Sequence, residues 1–523
     1  MEVEKILKCY DKALSVKRNW EPYYKEVYDY CLPNRQNVYN SGKPLGEKES
    51  NLSLFTSLGI TASNNFVSKI QELITPVGQD WIGLQKVSTK EDNQEETNAI
   101  NEELSKFSII LNSMKNGSNF DSIITEFYYD LVAGTSCLLV LPGTPQEPLK
   151  FKTIPFQEYC FAEGNDGVVR EVYREFNLRY EEVKDTWQDI KNFDINEDDK
   201  KERITIIEAV IYNYDTKFWD YLVIYKKEKK IILKREYKTN PFIILRWNKA
   251  SGEWYGRGVG LMAINDLKTL NLIMEYSLRI YCYQLPILLA KQDVFNSNFS
   301  LEPLSINFVE STSSNEPSIT QLQFQGNNDI TAYNIEAMQV SIKRTMLDNT
   351  ILDDGKVRTA TEVAQRIQEL KSTLSNMFGR IIVDFLYPIV KRIIECLQHF
   401  NYIDKSFNVD MIDGFGFKID IKTPLARQNK INEVQEISNI IQYFMSVDPT
   451  GQTMNKYIKL DTLIPYLCRL MGMPEEFIKS QEEIQMEQQA MAEQQQMAQQ
   501  QQIENNIYMN NEINKGKENA KKY

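Results

Sequence analysis

Three glycines, Gly256, Gly258 and Gly260, follow a β-rich run and open a stretch that is predicted to be a helix. A glycine-rich turn before a helix can hold a phosphate, because its backbone amides and the helix N-terminus favour an anion. Here the spacing is G-x-G-x-G, whereas a dinucleotide fingerprint is G-x-G-x-x-G within a βαβ unit. The other role for such glycines is close approach of two backbone segments. We expect this second role for the turn and keep nucleotide binding as the alternative.

Residues for other chemistry are few. The one histidine, His399, would have to carry any Ser–His–Asp hydrolase or histidine-rich metal site alone. We expect it near the C-terminal end of a long helix, where a cation is favourable. The acidic pairs Asp353–Asp354 and Asp410 with Asp413 are typical of solvated loops, and no GxxxxGK[ST] motif is present. The sequence therefore predicts no enzyme, no metal and no cofactor.

Composition indicates a folded chain of two to four domains, since 523 residues exceed one ordinary core. No segment has the roughly 20 uncharged apolar residues of a membrane span, and we expect no signal peptide. The seven cysteines contain no CxxC pair, which favours a reducing compartment. The net charge is −12. A protein that grips DNA phosphates needs basic patches, so any DNA that this chain meets should be free to move.

The elements that must position the glycine turn follow from apolar periodicity and from turn signals. Helices are predicted over 7–33, 54–76, 98–115 and 120–134, followed by a mostly antiparallel β region over 135–247 with a short helix near 179–190. A helix over 256–284, a β and loop excursion over 286–330 and a helix over 333–352 come next. A helix over 360–400, bent at Gly379 and Pro388, a β segment, a helical block over 426–479 and a glutamine-rich tail complete the chain.

The helix after the glycine turn has a wide apolar surface. One stripe continues to Leu278 and Tyr281, and Met262, Ile273, Tyr276 and Ile280 lie beside it. Such a helix is expected to pack on more than one neighbour. Its stripe begins with Val259, Ala263, Leu267, Leu270 and Met274.

Four stretches in order resemble the portal proteins of tailed bacteriophages, in particular the head–tail connectors of short-tailed phages. They span about residues 18 to 425. They read RNWEPYYKEVYDYCLPNR, LFTSLGITASNNFVSKIQELITPVGQDWIGL, GEWYGRGVGLMAINDLKTLNLI and RTATEVAQRIQELKSTLSNMFGRIIVDFLYPIVKRII.

The resemblance implies a mixed α+β portal fold, assembled as a ring of twelve subunits at one capsid vertex, through which double-stranded DNA enters and leaves. It implies an α/β wing, a two-helix stem, a small clip, a long bent helix and a helical crown. The corresponding boundaries are 1–255 for the wing, 256–284 and 333–352 for the stem helices and 285–332 for the clip. They continue with 353–359 for a tunnel loop, 360–425 for the bent helix and its return strand, 426–480 for the crown and 481–523 for the tail.

On this mapping the stripe Val259, Ala263, Leu267, Leu270 and Met274 contacts sister copies, and the turn Tyr255, Gly256, Arg257 and Gly258 sets the stem helix against its neighbour. Transient phosphate contacts are expected from Lys356 and Arg358 in the tunnel loop and from Lys343 and Arg344 in the second stem helix. Intersubunit ion pairs or solvated positions are the alternative for all four.

The resemblance also implies partners and a place. The partners are sister copies, passing duplex DNA, the large terminase subunit as the separate ATPase, the major capsid protein, the scaffold and the tail adaptor proteins, with no membrane. The place is the virion, after assembly in the host cytoplasm. Twelve chains of charge −12 carry a formal −144, which would repel phosphates at close range. Two alternatives remain, another self-assembling virion component and an enzyme that uses the glycine turn.

Overall fold

The computed structural model describes residues 3–35, 54–86, 94–187, 189–190, 203–284, 287–291, 306–309, 319–322, 328–348, 377–403 and 417–447, together with 458, 463–464 and 466–468. Two compact units result, Met1–Leu425 and Ala426–Tyr523. The first unit is a mixed α+β assembly, as predicted. Its bent-helix segment before residue 377, the tunnel loop and the glutamine-rich tail lie outside the described residues.

Four predicted helices begin the first unit. In α1 the buried face carries Ile6, Tyr10 and Ala13, and the helix ends two residues before Pro33, because a residue preceding proline avoids the α conformation. The fourth helix ends at Ala133. The next residue, Gly134, caps it with a φ of 144°, which is costly for residues other than glycine. The four are α1 (Val3–Cys31), α2 (Leu58–Ile74), α3 (Gln94–Asn116) and α4 (Phe120–Ala133).

The predicted antiparallel region forms two sheets. Strands β4 to β8 make a five-stranded meander in chain order, and β2 is the centre of a three-stranded sheet in the order β3-β2-β9. The inner side of the meander packs on α1 through Tyr173, Ile207 and Ala209. The strands are β2 (Thr135–Pro142), β3 (Leu149–Ile154), β4 (Tyr159–Glu163), β5 (Val169–Leu178), β6 (Ile204–Tyr212), β7 (Trp219–Tyr225), β8 (Lys230–Tyr237) and β9 (Phe242–Arg246), with the short helix α5 (Tyr180–Thr186) after β5.

A helix pair with a small sheet between its members follows. The helices are α6 (Val259–Gln284) and α7 (Asn328–Thr345), and they contact each other. Ser341 near the end of α7 donates to Asp266 near the start of α6 at 3.5 Å, so the pair is antiparallel. The intervening strands β10 (Ile287–Lys291), β11 (Ile306–Val309) and β12 (Ile319–Leu322) form a sheet in the order β11-β10-β12. The β excursion predicted between two helices is therefore present.

The described part of the bent helix contains a π-helical turn over Ile382–Leu386, followed by α8 (Tyr387–His399). Pro388 has no N–H to give to the carbonyl four residues earlier, so the regular helix is interrupted where the sequence predicts a bend. Asp384 in the π turn forms an ion pair with the buried Arg246 of β9 at 3.1 Å, and Arg246 also pairs with Glu163. This contact holds the turn against the sheet. Gly379, the other predicted bend, lies in α-helical backbone.

One further strand closes the first unit. Strand β13 (Phe417–Ile421) pairs antiparallel with β1 (Ile82–Lys86). Most of α9 (Pro424–Val447) belongs to the second unit, in which Ile440 and Tyr443 are exposed. Among the helices that the structure describes, each is too short or too polar to cross a bilayer.

Candidate subunit interface and the glycine turn that positions it

The glycine turn is a place of close backbone contact. A Cβ on Gly258 would stand 2.1 Å from the Val132 carbonyl oxygen, and one on Gly256 would stand 2.5 Å from the Gly134 oxygen. A Cβ on Gly260 would lie 2.7 Å from the Val27 side chain. The glycines therefore give the chain room to cross the end of α4 as it passes from β9 into α6. This is the role that the spacing predicted.

The amides of the turn already have partners inside the protein. Gly256 N donates to Thr135 Oγ1 at 2.8 Å, Arg257 N to the Asn248 oxygen at 2.7 Å and Gly258 N to the Ala133 oxygen at 3.0 Å. A phosphate cradle needs several amides that point at the ligand. These three amides are used within the protein and are not available to an anion, so the turn joins two segments of the chain.

Tyr24 of α1 also forms hydrogen bonds with the glycine turn and with Thr135. Its hydroxyl donates to the Gly256 carbonyl and lies 2.9 Å from Thr135 Oγ1. Both Tyr24 and Tyr255 are fully buried, and burial raises the pKa of each phenol, so both stay neutral. Sequence reasoning missed Tyr24 and Thr135, because 111 residues separate them. The only local signal was the aromatic residue in the first stretch of the resemblance.

The first half of α6 lies inside the chain's own core, which corrects one prediction. Val259, Ala263, Leu267 and Leu270 are between 0% and 2% exposed. The helix packs there on α1, α2 and α4. A side chain without exposed surface cannot contact a second subunit unless the core first unpacks. These four residues anchor α6 to α1, α2 and α4, and any contact with a second copy must use other positions.

Polar contacts fix the same half of α6. Asn271, which is buried, accepts a hydrogen bond from Phe55 N at 2.8 Å. Lys268 forms an ion pair with Glu26 of α1. These contacts hold α6 as far as residue 271. Beyond that point its charged residues Glu275 and Arg279 pair with each other at 2.6 Å.

The second half of α6 is apolar and exposed. Leu272, Tyr276 and Ile280 lie at intervals of four, on one face of the helix, and Leu278 lies on a different side. Met274 of the predicted stripe is half-buried. The exposed fractions are 47% for Leu272, 54% for Tyr276, 48% for Leu278, 46% for Ile280 and 56% for Tyr281. Apolar surface of this density marks an interaction site.

The residues at the end of α7 are held against α2. Leu347 adopts a φ of 58°, and Asp348 N returns to the Lys343 oxygen at 2.8 Å, which closes the helix. Asp348 then accepts a hydrogen bond from Asn65 of α2 at 3.1 Å and forms an ion pair with Lys69. The chain therefore leaves α7 from a fixed point.

The basic residues predicted to meet DNA fall in two groups. Arg344 is exposed and Lys343 is half-buried, both in the last turn of α7. Lys356 and Arg358 lie outside the described residues. Lys343 and Arg344 therefore lie together at the end of α7 that is close to α2.

The described part of the chain includes some of the residues that were considered for metal binding or catalysis. No group of three His, Cys, Asp or Glu side chains suited to a metal occurs there. His399 ends α8 beside Phe400, where it was expected. Burial raises the pKa of Cys31 and of Cys160 to about 12. These thiols are therefore protonated and inert at neutral pH. Asp353, Asp354, Asp410 and Asp413 lie outside the described residues.

The sequence of the chain is similar to those of known proteins. Residues 3–478 match a family described as bacteriophage head to tail connecting protein. A probable portal protein of Bordetella phage BPP-1 is 21% identical over 415 residues, which cover 74% of this chain and 73% of that protein. Two solved structures are similar to this chain at a TM-score of 0.34. They are the virion of a native gene transfer agent particle, at 9% identity over 85% of this chain and 98% of that one, and the neck of a native particle computed with C12 symmetry, at 10% identity over 86% and 99%.

Proposed function

The chain belongs to the family of bacteriophage head to tail connecting proteins, and from this premise we propose that its copies assemble into a ring of twelve, the portal. Duplex DNA passes through the ring into and out of the capsid. The protein itself is a structural component and hydrolyses nothing.

The observation that carries the ring is the contrast between the two halves of α6. The wing buries the first half, and the second half projects with exposed apolar residues on more than one side, among them Tyr276 and Leu278. Leaving such side chains in water is unfavourable by roughly 25 cal/mol per Å² of apolar surface. A neighbour on each side removes that surface from water. A head-to-tail contact repeated by rotation generates a closed ring.

The helix pair α6 and α7 is proposed as the stem, and the small sheet β10 to β12 as the clip. Met274, Leu272, Tyr276, Ile280 and Leu278 then lie between copies, while Val259, Ala263, Leu267 and Leu270 hold the stem helix on the wing. The fastening of α6 by Asn271 and of α7 by Asp348 fixes the direction of the stem. A fixed direction matters because a small error in the angle between neighbours accumulates around a ring.

The lumen is proposed to let DNA slide. The charged residues of α6 are paired inside the chain, as Lys268 with Glu26 and Glu275 with Arg279, so this helix offers little net charge to phosphates. Lys343 and Arg344, with Lys356 and Arg358 in the proposed tunnel loop, are the candidates for transient contacts. A formal −12 per chain opposes lasting adhesion.

Further partners follow from the family. We expect the large terminase subunit, as the ATPase, to dock at the clip, and the capsid protein, scaffold and tail adaptors to meet the outside of the ring. The ring would stand at one vertex of the virion after assembly in the host cytoplasm.

A matched pair of variants tests the ring. Ile280→Asp places a charge in every proposed subunit contact, whereas Ile109→Asp makes the same change at an exposed position of α3, 60% exposed against 46%. Sedimentation velocity should give rings for the native chain and for Ile109→Asp, and single folded chains for Ile280→Asp. Rings of Ile280→Asp as stable as those of Ile109→Asp would refute the stem contact. A native chain that stays single at high concentration would refute the portal.

A further inference from the structure

An acidic protein carries one strongly basic hairpin. The stretch from residue 226 to 238, which we call the basic hairpin, contains seven lysine or arginine residues and two glutamates. Its net charge is therefore +5, whereas the whole chain carries −12. The hairpin comprises the turn between β7 and β8, the strand β8 and the residue after it.

The lysines of the turn stand on a closed and exposed loop. Lys229 N donates to the Lys226 carbonyl at 3.4 Å, and Lys229 has a φ of 52°, so the turn is tight. All residues from Lys226 to Lys230 are exposed, and four of these five are lysines. Strand β8 is the outer strand of the meander. The lysines therefore lie at one edge of the meander, and among the described strands none pairs with the outer side of β8.

Neighbouring acids neutralise only part of this charge. Lys226 pairs with Glu175 at 2.7 Å, Arg235 with Asp189 at 2.6 Å and Lys234 with Asp220 at 3.4 Å. Within the described part of the chain, Lys229 and Lys230 make no ion pair. Lys229 and Lys230 therefore keep positive charge that the ion pairs of the described residues do not neutralise.

Protection of a sheet edge does not account for the turn. Lysines on an outer strand and a bulge in it discourage pairing with another chain. Strand β8 has both devices, Lys234 and a register shift opposite Val223 and Ile224. Lys226, Lys227 and Lys229 lie outside the ladder, which begins where Lys230 pairs with Tyr225. They need a different explanation.

The character of the surface favours nucleic acid over protein. Lysine is depleted in protein interfaces, whose anchors are aromatic or apolar, and the exposed turn offers charge alone. Phosphate contacts, by contrast, use lysine as a point charge without sequence readout. The bulge also opposes docking of a peptide as an added strand.

We propose that the basic hairpin binds the phosphate backbone of duplex DNA on the outside of the assembled protein, away from the channel. This inference rests on the proposed function, since DNA that passes through the ring into the capsid would then lie on the same side as the outer surface of the ring. The contact is independent of sequence, weakens with salt and leaves DNA in the lumen unaffected.

Closed circular DNA separates this surface from the channel, because a covalently closed circle cannot thread a ring. The experiment measures binding of closed circular duplex DNA to the native protein across a salt series. The test variant is Lys229→Gln, Lys230→Gln. The control variant is Lys150→Gln, Lys418→Gln, two exposed lysines on other elements.

We expect the test variant to bind the closed circle at least about tenfold more weakly at low salt, with a salt slope smaller by about 2, since each phosphate contact contributes roughly 0.9. The control variant should match the native protein. Equal affinity and slope for the two variants would overturn the proposal, as would polyglutamate binding as tight as DNA binding. Should no ring form, the proposed function fails, and the same measurement on the single chain still decides the hairpin.

Discussion

Replacing Gly258 by alanine tests how the end of α4 holds the start of α6. The new Cβ would lie 2.1 Å from the Val132 oxygen, against 3.4 Å for ordinary contact, so the backbone must move by about 1.3 Å. Such a shift breaks the hydrogen bond from Gly258 N to the Ala133 oxygen and strains the one from Arg257 N. Each buried group left without a partner costs roughly 1–3 kcal/mol. The variant should therefore lose about 3–5 kcal/mol of stability.

The matched control is Gly252→Ala, since Gly252 has open space around it and a φ of 82°. Only left-handed backbone strain of about 1–2 kcal/mol applies there. Thermal unfolding followed by circular dichroism should place Gly258→Ala several degrees below Gly252→Ala, and ATP or phosphate should raise neither midpoint. Equal midpoints would refute close packing at the turn. A rise in midpoint with ATP would revive the nucleotide alternative.

Three further changes probe the same core. Tyr24→Phe should cost about 1–3 kcal/mol in urea unfolding, because the buried Gly256 oxygen loses its donor; no loss would exclude that bond. In the single chains of the Ile280→Asp variant, Leu270→Ala should cost about 2–5 kcal/mol and Leu278→Ala under about 1, since the first is buried within the chain and the second is half exposed; equal costs would contradict the division of α6. Burial lowers the pKa of Lys17 below its ordinary 10.5, so the unfolded chain holds this proton to higher pH and stability should rise as pH approaches 10.5. Lys17→Met should flatten that rise, measured as unfolding free energy against pH, and an unchanged slope would count against it.

Local signals in the sequence were sufficient for most elements. Periodicity gave the four N-terminal helices, β-branched runs gave the antiparallel region, and Pro388 marked where the long helix is interrupted. The glycine spacing predicted close approach, because the need for a missing Cβ is written in the residue type. The breadth of the apolar surface on α6 likewise followed from the sequence alone.

What lay beyond local signals was the partner of each surface. An apolar stripe states that a face is buried but not whether its own wing or a neighbour covers it, which is why Leu267 and Leu270 were assigned to sister copies. The fastening by Tyr24 and Thr135 joins residues 111 apart, and the ion pair of Arg246 with Asp384 joins residues 138 apart. Neither contact leaves a pattern in a single sequence.

The most direct test of the central claim is electron microscopy of the purified native chain. We expect closed rings of about twelve copies with a central hole and, at higher resolution, Tyr276 and Ile280 of each copy packed against the next. Particles without a hole, single chains at every concentration, or rings that leave the second half of α6 exposed would contradict it.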